Sequence, residues 1–314
     1  MTLHPQAKMF LDQLAAVSKG APAIDQLTAE QYRMISAQMF SQTGGPPEEV
    51  AHVENVMILV DDGEINVRIY TPEGEGPFPV FVYLHGGGWV IGDLDVVDST
   101  VRALTNASES IVVSIGYRRA PEFKFPTAPE DCYAALKWVA ENISRYNGDP
   151  SFIAIGGDSA GGNLSAAVTL MAKDRGGPSI AYQVLIYPAT NFAWNTPSME
   201  ENGEGYLLDK ATIDWFTKHY LSEKDKTSPY ASPILAKDLS GLPPALIITA
   251  QYDPLRDDGV LYADRLREAG VNVELSNYEG MIHAFFWMAG VMDAGREAIE
   301  QIGKAIQKNY TSEK

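Results

Sequence analysis

Three groups of residues in this chain could carry chemistry: a serine set between glycines, a glycine triplet behind a histidine, and an aspartate followed 30 residues later by a histidine. Gly157-Asp158-Ser159-Ala160-Gly161 stands between SFIAIGG, which reads as a strand, and GGNLSAAVTLMAK, which reads as a helix. A sharp strand-to-helix turn packs backbone closely around the serine, so glycines flank it and its hydroxyl projects from the turn. The helix starting behind Ser159 aims backbone N–H groups and its positive dipole end at the same place, which favours negative charge forming on a bound acyl oxygen. The chemistry these features suit is nucleophilic attack on a carbonyl.

His85-Gly86-Gly87-Gly88-Trp89 follows the apolar run PVFVYL. Successive glycines let a substrate oxygen approach the backbone without side chains in the way, so Gly87 and Gly88, with Ala160, are the expected donors to an oxyanion. A phosphate-cradling loop does not fit: no Gly-Lys-Ser/Thr ending and no G-x-G-x-x-G leading into a helix is present. His85 directly precedes the glycines and reads as a residue that holds the loop.

A serine hydroxyl needs a base, and histidine, with an unperturbed pKa of about 6.5, suits the task near neutral pH. With this kind of elbow the partners follow in the order Ser, Asp or Glu, His, each after a strand. His4, His52, His85 and His219 all precede any acid that follows the strand-like PALIITA, which leaves His283 in EGMIHAFF. Asp253 lies three residues beyond PALIITA, with Pro254 marking a turn, and is expected to orient the imidazole and stabilise the imidazolium. Asp257 and Asp258 are rivals for that place, but are expected to cap and charge the helix GVLYADRLREAG. Taken singly, His283 beside Phe285, Phe286 and Trp287 reads as a half-buried histidine and Asp253 as a turn residue; their joint order and placement argue otherwise.

The elements that must position these residues follow from periodicity. Two helices are predicted over about 5–18 and 29–40, the second opened by a Thr28/Gln31 capping box and carrying Tyr32, Ile35 and Met39 as a stripe that should dock. Gly44-Gly45-Pro46-Pro47 ends that arm. VENVMILV and INVRIY around Asp61-Asp62-Gly63 predict an antiparallel hairpin. Six further apolar runs, mostly separated by helical segments, predict strands covered on both faces, hence an α/β core. The stretch of about 190–230 lacks a strand but holds DKATIDWFTKHYL, and reads as an insertion. The organisation expected is an N-terminal helical arm at 1–47 and a catalytic domain at 48–314, with the insertion and the arm capping the carboxyl edge of the sheet.

Composition sets the outer limits. Hydrophobic residues are 45% and charged residues 21% of 314, enough for a sizeable core. Twenty-four basic against 41 acidic residues give a net charge of −17, which repels nucleic acid and anionic membranes. Cys132 is the single cysteine and reads as a small buried hydrophobe in a helix. The first residues carry no signal-like leader and no stretch is long enough for a membrane span, so a cytoplasmic location without membrane insertion is expected.

Through HGGGW at 85–89, GDSAGG at 157–162, DPLRD at 253–257 and IHAFF at 282–286, the sequence resembles the hormone-sensitive lipase family of bacterial esterases. YRRAPE at 117–122 and FPTAPED at 125–131 resemble family segments too; Arg119 departs from the usual YRLAPE, and is expected to lie away from the chemistry. The resemblance implies the α/β-hydrolase fold, an eight-stranded, mostly parallel sheet with a helical cap, no metal or organic cofactor, and hydrolysis of short- to medium-chain acyl esters as small-molecule substrates. It also implies that a homodimer is possible. The same triad would serve an amidase or peptidase; a non-catalytic ligand receptor on this fold would be marked by a missing triad member, and none is missing.

Overall fold

The computed structural model describes residues 2–312. Its centre is an eight-stranded sheet in the order β1-β2-β4-β3-β5-β6-β7-β8, formed by β1 His52–Val60, β2 Gly63–Thr71, β3 Phe78–Leu84, β4 Ile111–Gly116, β5 Gly148–Asp158, β6 Tyr182–Ile186, β7 Ala245–Tyr252 and β8 Val273–Ile282. β1 and β2 form the expected hairpin, β2 also runs antiparallel to β4, and every pairing from β4 to β8 is parallel. Each apolar run read from the sequence is a strand.

The parallel strands are apolar at nearly every position because helices cover both faces. Along β3, Phe81 and Tyr83 enter one core with α3 (Asp98–Ser108) and α9 (Asp293–Ser312), contributing Val101, Leu104, Ile302 and Ile306. Val80, Val82 and Leu84 enter the other with α4 (Thr127–Asn142) and α5 (Ala160–Arg175). Cys132 lies fully buried on α4, as its apolar context predicts. α8 (Arg256–Glu268) covers β6 and β7 on the α5 side through Tyr262 and Leu266.

The two N-terminal helices, α1 (Pro5–Val17) and α2 (Ala29–Thr43), part company. α1 docks beside β8 and α9: the His4 backbone amide donates to the Gly280 carbonyl (3.0 Å) and the Gln6 side-chain Nε2 to the Asp293 carboxylate (3.0 Å). α2 starts at the Thr28/Gln31 capping box (2.9 and 3.2 Å) and turns Tyr32 onto Trp215 and Phe216, at 5.5 and 5.8 Å between ring centroids. Its docked face is Tyr32, Ser36, Met39 and Phe40, rotated from the predicted stripe, so Ile35 remains 50% exposed. The segment of 190–230 carries α6 (Pro197–Asn202) and α7 (Lys210–Tyr220); Asp209 caps α7 by accepting from the Thr212 amide (2.7 Å).

Arg33 fastens α2 to the core. Its Nε donates to the Val90 carbonyl (2.8 Å), Nη2 to the Ala120 carbonyl (2.7 Å), and it pairs with Glu122 at 2.6 Å, which draws that carboxyl down to about 2. The two carbonyls are part-buried and the carboxylate is exposed. Arg33→Met is therefore expected to cost about 1–3 kcal/mol in denaturant unfolding, because it strands two acceptors. Glu122→Gln is expected to cost under about 1 kcal/mol, the range of a solvated pair. Equal midpoints for the two variants would refute this ranking.

Candidate active site

The parallel strands deliver their following loops to one edge. β5 ends at Asp158, and Ser159 sits in the turn before α5 with φ 54° and ψ −116°. A non-glycine residue held there stores about 1–3 kcal/mol of strain, and its surroundings enforce it: the Ser159 amide donates to the Ile186 carbonyl (2.8 Å) and its carbonyl accepts from the Asn163 amide (3.0 Å). Gly161 permits the turn, since a Cβ there would stand 1.8 Å from the Leu84 carbonyl oxygen.

β7 ends at Tyr252, so Asp253 follows it directly, and β8 ends at Ile282 directly before His283. β8 lies three strands from β5, about 14 Å at ordinary strand spacing, so the imidazole must reach back along the edge. Ala284 helps by turning the chain at φ 65°. His283 Nδ1 lies 2.7 Å from Asp253 Oδ2, and Nε2 lies 2.9 Å from Ser159 Oγ. Asp253 is fully buried and its Oδ1 accepts from the Leu255 amide (2.8 Å). An ionised carboxylate only accepts, so Nδ1 carries the proton, and Nε2 is left to accept from the Ser159 hydroxyl.

Gly87 and Gly88 have φ of 106° and 56°, and both line the cavity that also holds Ser159 and His283. A Cβ on Gly88 would stand 2.2 Å from the Phe216 ring, so the cap rests directly on this loop. Ala160 is the first residue of α5, beside Ser159. Gly87, Gly88, Ser159 and His283 thus line one cavity, with Ala160 buried beside Ser159 and Asp253 buried behind His283. The cavity's remaining lining is largely apolar, with Tyr32 and Met39 from α2, Ile213 and Phe216 from α7, and Leu208 before it. Such a lining keeps water scarce and strengthens hydrogen bonds inside.

His85 takes no part in the triad: its Nδ1 lies 2.7 Å from the Gly86 carbonyl, its ring stacks on Tyr117 at 4.3 Å, and burial lowers its pKa to about 4. It is neutral at pH 7 and braces the loop. Arg119 does not line the cavity; it donates to the Gly92 carbonyl and stands 3.8 Å from Asp93.

Asp257 and Asp258 occupy the first turn of α8, but neither caps it. Asp257 accepts from the Ser198 amide (2.8 Å), and Asp258 accepts from the Thr190 and Asn191 amides (3.0 and 3.1 Å). They tie the insertion to the core, and burial pushes the Asp258 carboxyl up to about 8. Two residues near the site had no signal that periodicity could read. Tyr187, after β6 and held at φ 33°, lies 4.5 Å from the His283 ring. Asp158, inside the serine motif, is buried against the glycine loop.

A model of the alpha/beta hydrolase fold family matches residues 81–287. The chain is 41% identical over 304 residues to the carboxylesterase NlhH of Mycobacterium tuberculosis, covering 94% of this chain and 92% of that one. It is 36% identical to an arylesterase of Saccharolobus solfataricus, covering 98% and 99%. The solved structure of a hyperthermophilic esterase from the archaeon Pyrobaculum calidifontis superposes with a TM-score of 0.92 at 42% identity, covering 98% and 99%. The chain belongs to the alpha/beta hydrolase family, among its hormone-sensitive-lipase-like carboxylesterases.

Proposed function

We propose that the protein is a serine carboxylesterase that hydrolyses short- to medium-chain acyl esters, with Ser159 as nucleophile, His283 as general base and Asp253 as its orienting acid. The observation that carries this reading is the unbroken hydrogen-bond line from Asp253 through His283 to Ser159, at 2.7 and 2.9 Å. Ser159 Oγ attacks the ester carbonyl as Nε2 takes its proton, and the oxyanion forms against the amides of Gly87, Gly88 and Ala160. The imidazolium then protonates the departing alkoxide, the alcohol leaves, and water activated by the same nitrogen releases the acid.

The cap in this reading consists of α2 and the insertion of about 190–230, resting on a catalytic domain that α1 joins from the side. The substrate is a small-molecule ester, and the acidic surface disfavours nucleic acid as a partner and suits a cytoplasmic setting. Among the described residues no helix is long and apolar enough to cross a membrane. No observation favours an amidase, a peptidase or a receptor over ester hydrolysis.

The test is hydrolysis of nitrophenyl esters from acetate to dodecanoate, with an alkyl phosphonate as covalent probe. Turnover, and a single phosphonate adduct on the peptide bearing Ser159, are expected. Because each buried methylene is worth about 0.8 kcal/mol, or about fourfold, the chain-length preference should be graded. Absence of turnover, or an adduct on another residue, would overturn the reading.

A further inference from the structure

Behind the nucleophile lies a second carboxylate, which the mechanism above does not use. Asp158 is 2% exposed, and no lysine or arginine among the described residues pairs with it. An isolated buried carboxylate is costly unless donors surround it. Here three donors meet on one oxygen: Oδ1 accepts from the Tyr83 hydroxyl (2.5 Å), the Gly86 amide (3.0 Å) and Trp287 Nε1 (3.0 Å). These donors come from different parts of the site. Tyr83 stands near the end of β3, Gly86 immediately precedes the two candidate oxyanion glycines, and Trp287 lies four residues after His283. Trp287 Nε1 also reaches the Tyr83 hydroxyl at 3.3 Å, which closes the network.

The three buried donors need an acceptor at this place, but a neutral one would satisfy them without the desolvation of a charge. What a carboxylate oxygen supplies is several strong, directed hydrogen bonds at one point. The oxyanion loop has no helix or strand of its own to hold it, and its glycines are conformationally free. Its amides must nevertheless stand within a fraction of an ångström of where the oxyanion forms. Burial raises the Asp158 carboxyl to about 6, so it is ionised at neutral pH and its hydrogen bonds are charge-assisted.

We propose that Asp158 is a positioning residue for the oxyanion hole: by binding Gly86, Tyr83 and Trp287 on one oxygen, it fixes the Gly87 and Gly88 amides relative to Ser159 and to the loop that carries His283. The inference rests on the reading of Ser159 as nucleophile. It predicts that Asp158 acts on transition-state stabilisation and not on substrate binding.

The experiment compares wild type with Asp158→Ala, Asp158→Asn and Tyr83→Phe. Active sites are titrated with an alkyl phosphonate, so that kcat on nitrophenyl acetate is expressed per competent serine. In Asp158→Ala, kcat per titrated site should fall about 10²-fold, the size expected for a displaced catalytic group, with KM unchanged. The inhibition constant of a trifluoromethyl ketone, whose adduct carries the oxyanion, should rise by the same factor. Asp158→Asn keeps an acceptor oxygen for the three donors and should recover part of the loss; Tyr83→Phe, which removes one donor, should lose least. If Asp158→Ala does not fold, the other two variants carry the test through the inhibition constant. A lower melting temperature with unchanged kcat per site and unchanged inhibition constant would reduce Asp158 to a structural role and overturn the proposal. Wild type that fails to label at Ser159 would overturn the mechanism itself, and the proposal with it.

Discussion

Ser159→Ala and His283→Ala are each expected to lower kcat on a short nitrophenyl ester by about 10⁶-fold, and the double variant is expected to be no worse than either single one. The reason lies in the geometry of the 2.9 Å contact between Nε2 and Oγ. A serine hydroxyl without a base is a poor nucleophile at neutral pH, and a base without the hydroxyl has nothing to deprotonate. The two therefore act as one unit, and removing the second half of a broken unit changes little. A 10⁶-fold loss corresponds to about 8 kcal/mol of barrier. Residual turnover above water should survive from the oxyanion donors and substrate binding, on the order of 10³- to 10⁴-fold. Rates measured on folded, purified variants check this. Two losses that multiply in the double variant, or a Ser159→Ala enzyme with more than about one-thousandth of wild-type activity, would show that the hydroxyl and imidazole do not share a step.

Asp253→Asn is expected to cost about 10⁴-fold in kcat while the fold persists. The Leu255 amide donates to Oδ1 at 2.8 Å. An asparagine in the same pocket keeps that bond only by placing its oxygen at Oδ1, which turns its NH₂ toward His283. Nδ1 must then accept, the ring proton moves to Nε2, and Nε2 can no longer accept from the Ser159 hydroxyl. The variant thus installs the wrong tautomer without creating a cavity or an overpacked site. Its melting temperature should stay near that of the wild type, since no buried bond to Leu255 is lost. Full turnover in a folded Asp253→Asn enzyme would mean that another group orients the imidazole, and Asp258, held instead by the Thr190 and Asn191 amides, would be the next to test.

The strands were legible in the sequence because each is a short apolar run bounded by polar or glycine-rich segments, a pattern that does not depend on which strands are neighbours. The triad candidates were legible because parallel strands present their following loops at one edge, so placement after a strand substitutes for distance. Features set by contacts between distant segments could not be read in this way. Nothing in the periodicity of α2 indicates whether Ile35 or Ser36 faces inward; Trp215 and Phe216, about 180 residues later, decide it. Nothing local shows that α1 docks beside β8 and α9. Asp257 and Asp258 look like ordinary first-turn acids, and only the returning chain at 190–198 reveals which amides they accept. Asp158 was hidden differently, because it occupies a position of the serine motif that carries no chemical requirement of its own. Its role is visible only once Tyr83, Gly86 and Trp287 are seen to meet on it.

The strand order has a consequence in time as well as in space. β3 ends at residue 84 and takes β4 and β5 as its parallel neighbours, while β8, the last strand, closes the opposite edge at residue 282. A chain emerging at about 5–20 residues per second can form the β1–β2 hairpin early, but roughly 6–25 seconds separate the synthesis of Ser159 from that of His283, 124 residues later. In the proposed mechanism the base and the nucleophile therefore come together only once β8 has joined the sheet, three strands away from β5.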